Sequence, residues 1–165
     1  MPATKQDLMA KLDTLNIAVT VTEHPPLFTV EDSKALRGQI QGAHTKNLFM
    51  KDKKGALFLL VLGEDASLNL KALPKILNSA RLSFGKPDLL MDKLGVTPGS
   101  VTAFAIINDP KYEVRIIYDK TLMANNIINC HPLTNEATVS IEADDLIKFT
   151  RACGHEPTIM ALAGA

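Results

Sequence analysis

Thr45-Lys46-Asn47-Leu48-Phe49-Met50-Lys51-Asp52, then Lys53-Lys54-Gly55, then Ala56-Leu57-Phe58-Leu59-Leu60-Val61-Leu62 is the stretch whose reading decides the fold. Its first arm alternates, with Leu48 and Met50 on one side and Asn47, Phe49 and Lys51 on the other, the period of a β-strand. Lys53-Lys54-Gly55 has turn chemistry. The return arm is apolar throughout, as in a strand buried on both faces. The stretch predicts a β-hairpin.

Outward from the hairpin, helices and strands are interleaved. Thr4 is a candidate N-cap, and Leu8, Leu12 and Leu15 recur at helical spacing, with Met9 on the same side. Ile17 to Val21 is rich in β-branched residues and predicts a strand that His24-Pro25-Pro26 ends. A thinly apolar helix is expected from a Thr29 cap to Gly38, a candidate gate over a pocket. Asn69 to Leu77 predicts a helix that Pro74 shortens or kinks, and Asp88 to Leu94 a helix closed by Gly95. Val101 to Ile107, Glu113 to Tyr118, Ile127 to Asn129 and Ala137 to Ile141 are strand candidates. Glu142 to Ala152 is the last helix, with Gly154 after it. Several strands follow one another directly, so the regular alternation of a doubly wound sheet is missing. The expectation is one α+β domain over residues 1–165.

Composition narrows the function classes. The 165 residues are 46% hydrophobic and 22% charged, enough for a core without disulfide staples. Eighteen basic residues balance eighteen acidic ones, which argues against a polybasic nucleic-acid coat or a membrane binder. Cys130 and Cys153 form no CxxC pair and read as thiols in a reducing compartment. The opening MPATKQDLMAKLD lacks a signal-peptide apolar core, and Ala56–Leu62 is too short to span a bilayer, so a cytoplasmic location is expected. There is no GxxxxGK[ST], no strand-linked GxGxxG and no GxSxG. The four histidines have no metal-ligand spacing, so neither a metal nor a cofactor is expected.

Three stretches remain as candidates for chemistry. His44 to Gly55 is the most basic segment. Lys51, Lys53 and Lys54 read as a solvated hairpin edge, whereas Lys46 and Asn47 begin a strand with apolar neighbours, where an ammonium and an amide suit a phosphate or carbonyl. Gly95-Val96-Thr97-Pro98-Gly99-Ser100-Val101-Thr102 is a turn whose amides can face an anion or oxyanion. His131 sits between a strand end and Pro132, where functional side chains are commonly placed.

In this order, Lys46-Asn47-Leu48-Phe49 with Lys51-Asp52, Leu94-Gly95-Val96 with Pro98 to Thr102, and His131-Pro132-Leu133-Thr134-Asn135 with Ala137-Thr138 resemble the YbaK/prolyl-tRNA synthetase editing-domain family, nearest its free-standing alanyl-tRNA(Pro) deacylases. The resemblance implies a curved mixed β-sheet flanked by helices and a metal-free hydrolysis of alanine from the acceptor end of tRNA(Pro). It implies catalytic roles for Lys46, for the amides of Gly99 and Ser100, and for His131, which would shape the aminoacyl pocket. It implies substrate binding by Asn47, Lys51, Arg81 and Thr102, with the attacking water oriented by the substrate's 2′-hydroxyl. The loop departs from a frequent family Gly-x-x-x-Pro, since the fifth position counted from Gly99 is Ala103.

Two other readings stand beside this one. The same chemistry could serve Cys-tRNA(Pro), or the groove could hold tRNA or prolyl-tRNA synthetase without turnover. Zero net charge and the lack of a helix-turn-helix pattern speak against duplex DNA as a partner.

Overall fold

The computed structural model describes residues 2–26, 31, 34–35 and 38–162. Six of the ten residues of the expected helix from Thr29 to Gly38 lie outside them.

The chain opens with helix α1 (Lys5–Thr14), started by a reciprocal cap. Thr4 Oγ1 accepts from Asp7 N–H at 3.2 Å, and Thr4 N–H donates to Asp7 Oδ2 at 2.9 Å. Leu8 and Leu12 turn inward from it and are buried. Ile17 N–H then donates to Leu12 O at 3.0 Å while Asn16 takes φ 58°, and this helix-ending turn delays strand β1 to Thr20–Glu23, later than the expected Ile17 start.

The hairpin is present as β2 (Ala43–Asp52) and β3 (Leu57–Gly63), antiparallel from Thr45↔Gly63 to Lys51↔Leu57. Helix α2 (Leu73–Leu77) follows; it is shortened from the expected Asn69 start, with Pro74 in its first turn. Strand β4 (Leu82–Phe84) pairs with the end of β2. Helix α3 (Pro87–Leu94) ends on Gly95, whose φ of 66° suits glycine. Strand β5 (Val114–Asp119), the short helix α4 (Lys120–Met123), strands β6 (Ile127–Cys130) and β7 (Ala137–Glu142), helix α5 (Ala143–Ala152) and strand β8 (Thr158–Met160) complete the order.

One expected strand is a helix. Val101 to Ile107 does not extend; Ala103–Asn108 winds as a 3₁₀-helix. Thr102 Oγ1 accepts from Phe104 N–H at 3.3 Å and starts the turn, and Ala103, Phe104, Ala105 and Ile106 are all buried. A short apolar run buried all round has no period to separate strand from helix.

The strands form one mixed sheet in the order β1-β7-β6-β2-β3-β5-β8, with β4 beside β2. Pairs β2·β6, β3·β5 and β5·β8 are parallel and the others antiparallel. Alternation along β2 sends Phe49 into a large core with α1, α3, α5 and the 3₁₀-helix, and Met50 into a smaller one with α2. In the large core the Tyr118 hydroxyl lies 2.8 Å from Thr150 Oγ1, and burial pushes the phenol pKa up.

Candidate active site

Strand β2 belongs to two ladders, and the site lies where it changes from one to the other. Ala43 and His44 pair in parallel with Ile128 and Asn129 of β6; beyond them β2 continues only with β3 and β4. The junction is pinned by polar side chains. Thr45 Oγ1 donates to Asn129 O at 2.8 Å. Asn129 Nδ2 donates to Gln41 O at 3.0 Å and Ala43 O at 3.3 Å, and its Oδ1 accepts from Ser140 Oγ at 2.5 Å. Gly42, at φ 105°, lets the chain pass so close that a Cβ would sit 2.8 Å from Ile127 Cγ2.

A cavity of about 50 Å³ opens at this junction. Its walls are His44 and Thr45 from β2, Glu64 after β3, Asn129, Cys130 and His131 from the end of β6, and Thr138 from β7. His131 Nδ1 lies 3.5 Å from Ala137 O. Burial, with His24 nearby, lowers the His131 pKa from its ordinary 6.5, against smaller opposing effects of Ala137 O and Glu64. Burial also pushes the Cys130 thiol up to about 12, so it stays protonated. Cys153 is half-buried, and burial pushes its thiol up to about 11.

The other sequence candidates group around this junction or away from it. Lys46 Nζ donates to the carbonyl of Ala66, two residues beyond Glu64. Asn47 Oδ1 is buried and has no hydrogen-bond partner among the described residues. Pro98–Ser100 forms a 3₁₀ turn, and a Cβ on Gly99 would lie 3.7 Å from Asn135 Nδ2, so the second and third motifs meet. Ser100 N–H already donates to Thr97 O at 2.9 Å. Thr102 is fully buried, with its hydroxyl engaged as the 3₁₀ cap. Lys51 and Arg81 lie together at the other end of β2, with Lys53, along an open groove of about 470 Å³. Five residues at about 3.3 Å each put Lys51 roughly 16 Å from Lys46 along the strand.

Sequence reasoning missed His24, His44, Glu64 and Thr138. His24 Nδ1 is 2.8 Å from Pro25 O and its Nε2 is 2.9 Å from Thr138 Oγ1. Its signal was the one used for His131, a histidine at a strand end followed by proline. Among the described residues no group of three or more His, Cys, Asp or Glu is placed to hold a metal ion, and no helix is long and apolar enough to cross a membrane.

Comparisons with known proteins bear on the family and the fold. Residues 24–149 match the aminoacyl-tRNA editing domain family. The chain is 37% identical over 152 residues to the prolyl-tRNA editing protein ProX of Acetoanaerobium sticklandii, covering 92% of this chain and 93% of that one. It is 37% identical over 159 residues to the prolyl-tRNA synthetase associated domain-containing protein 1 of Danio rerio, covering 95% and 86%. The fold is similar to that of a crystal structure described as a candidate trans-editing enzyme for prolyl tRNA synthetase, with a TM-score of 0.72, 17% identity and full coverage of both chains. Matched over most of its length and through all three motifs, the chain belongs to the aminoacyl-tRNA editing domain family.

Proposed function

We propose that this protein is a trans-editing hydrolase, one domain over residues 1–165, that cleaves the ester joining alanine to the 3′-terminal adenosine of tRNA(Pro). The observation that supports the reading is that the three motifs are neighbours in the fold: β2, which carries Lys46 and Asn47, pairs with β6 where Cys130 and His131 line a small polar cavity, and the Gly99 turn lies against Asn135 of the third motif. Editing of this kind is needed because a synthetase pocket made for a larger apolar side chain rejects a smaller one by only about 1–3 kcal/mol.

In the reaction, water adds to the ester carbonyl, the ester C–O bond breaks, and the leaving 3′-oxygen takes a proton. Lys46 acts as a positioned cation toward the substrate or its terminal phosphate. Asn47 Oδ1, buried without a partner among the described residues, accepts an N–H or O–H of the bound aminoacyl-adenosine. Because Ser100 N–H is engaged with Thr97 O, the Gly99 amide is the donor this loop offers to the tetrahedral oxyanion. His131 is held neutral by burial and contacts the substrate as an acceptor. Lys51 and Arg81 meet acceptor-stem phosphates, and the protein works in the cytoplasm. The mischarged tRNA is handed over in a transient complex with prolyl-tRNA synthetase.

The test is deacylation of Ala-, Cys- and Pro-tRNA(Pro) by the wild type and Lys46→Ala, with chelator present throughout. Rapid, Lys46-dependent loss of alanine alone is expected. Loss of cysteine instead overturns the substrate, and no turnover on any of the three overturns the hydrolase reading.

A further inference from the structure

We propose that the cavity at the β2–β6 junction is an ammonium subsite, which takes the α-NH₃⁺ of the aminoacyl ester and thereby separates primary amino acids from proline at the nitrogen. This rests on the editing reading and adds to it which part of the substrate the cavity holds.

The argument is a count of protons. Thr45 has committed its hydroxyl proton to Asn129 O, so its oxygen can only accept from the cavity. His24 faces the carbonyl of Pro25 through Nδ1, so that nitrogen carries the proton and Nε2 of the neutral ring is an acceptor. Thr138 therefore donates to His24 Nε2, and its oxygen too is left with lone pairs alone. His131 turns Nδ1 to Ala137 O and keeps Nε2 as an acceptor; His44 turns Nε2 to Ile40 O at 3.0 Å and keeps Nδ1. Glu64 adds carboxylate oxygens to the wall. Hydroxyls, imidazoles and carboxylate from four segments present acceptors to it. The ligand such a lining recognises is a compact cation rich in N–H donors.

Size agrees with charge. A water molecule needs roughly 10–15 Å³ by this measure and a benzene ring fits a cavity of about 150 Å³, so about 50 Å³ holds an ammonium with its attached carbon and is too small to enclose a five-membered ring. A primary ammonium brings three N–H groups. The nitrogen of a prolyl ester brings two, and carries a ring methylene where the third would be. Proline is then refused twice, by a missing donor and by an added carbon. In this arrangement His24 is a positioning residue: it touches no substrate, and it fixes Thr138 as an acceptor.

The experiment uses the whole protein and non-reacting 3′-amide analogues of an acceptor-end oligonucleotide carrying alanyl, N-methylalanyl or lactyl groups. Lactyl replaces the ammonium by a neutral hydroxyl of similar size. The alanyl analogue is expected to bind about tenfold or more tightly than the lactyl one, in line with the strength of charge-assisted hydrogen bonds. N-methylalanyl is expected to be weakened like a prolyl group. Thr138→Val should shrink the alanyl–lactyl difference, and Thr138→Ser should restore it. Equal affinity of the wild type for alanyl and lactyl analogues overturns the subsite, whatever the variants do. Ala-tRNA(Pro) hydrolysis is measured in parallel: an alanyl preference without turnover strikes the editing reading alone, and turnover without a preference strikes this inference alone.

Discussion

At its first residues β2 lies against β6 and helps wall a small cavity of about 50 Å³ with hydroxyl, imidazole and carboxylate groups. At its last residues it lies against β4, and Lys51, Lys53 and Arg81 border an open groove of about 470 Å³. The near end is small and rich in acceptors; the far end is broad and rich in cations. In the proposed reading one strand then serves two kinds of recognition, an acceptor-rich cavity for the aminoacyl group and a cationic groove for phosphate. Phosphate attraction is long-ranged and sequence-independent, so it can be placed remotely and still hold the substrate. Discrimination of one amino acid from another needs contact, and the small cavity is where the proposal puts it.

Lys46 sits between the two ends, and its removal is the strongest way to break the comparison. Lys46→Ala is expected to lower kcat for Ala-tRNA(Pro) by about 10²-fold, the scale of losing one positioned electrostatic group at a reacting centre. Its thermal unfolding should stay close to wild type, because Lys46 is half-exposed and its recorded bond is to a loop carbonyl. A full-strength rate would move the chemistry elsewhere.

The acceptor character of the near end depends on neutral imidazoles, and pH tests that directly. His131 is lowered below 6.5 first by burial and then by His24, while His44 and Glu64 are the other titratable groups facing it from β2 and the end of β3. As pH falls through the lowered pKa the ring charges, and kcat/KM should fall about tenfold per unit. The same shift gives a stability term that is full above 6.5 and lost as pH falls through the folded value, since the unfolded chain takes up the proton more readily. His131→Gln should flatten that acidic limb of the rate profile. A limb retained in the variant would take it away from His131.

At the far end the effects should be smaller and of another kind. Lys51→Ala or Arg81→Ala is expected to raise KM several-fold with kcat unchanged, and to reduce the slope of log affinity against log salt by about 1 each. On a minimal aminoacyl-CCA substrate both variants should behave as wild type. An equal loss on full-length and minimal substrates would bring these residues into the chemistry and dissolve the division of β2.

What could be read from the sequence was what is local. The Thr4–Asp7 cap, the Lys53-Lys54-Gly55 turn and the two-sided apolar arm Leu57–Leu62 each declare themselves within a few residues, and the structure has them all. Strands β4 and β8, of three residues each, are too short to show a period. The division of β2 was hidden for a different reason. Lys46 and Lys51 are near in the chain and look alike, and only the parallel pairing of His44 with Asn129, 85 residues later, tells which end faces a cavity. His24 was hidden likewise, because Thr138, which gives it a role, is 114 residues away.

The smallest expected effect concerns what keeps the two ends apart. Asp52 closes β2, and burial acts to raise its pKa, but N–H donors from Ala56 at 2.8 Å, Ala80 at 3.2 Å and Lys54 at 3.0 Å outweigh this and hold it below 3.8. These bonds tie the hairpin turn and the approach to β4 to one carboxylate. Asp52→Asn keeps the shape but lacks the second anionic oxygen, so it should lower Tm modestly. It should leave kcat on the minimal substrate unchanged, because the bonds that pin the cavity, Thr45 to Asn129 and Asn129 to Ser140, lie at the opposite end. The wild-type contribution is full above pH 3.8 and lost as pH falls through the depressed folded value, so the gap in Tm between the two proteins should narrow in acid. A gap that stayed constant with pH would mean that the turn is held by its backbone geometry, and that the cationic groove does not depend on Asp52 for its shape.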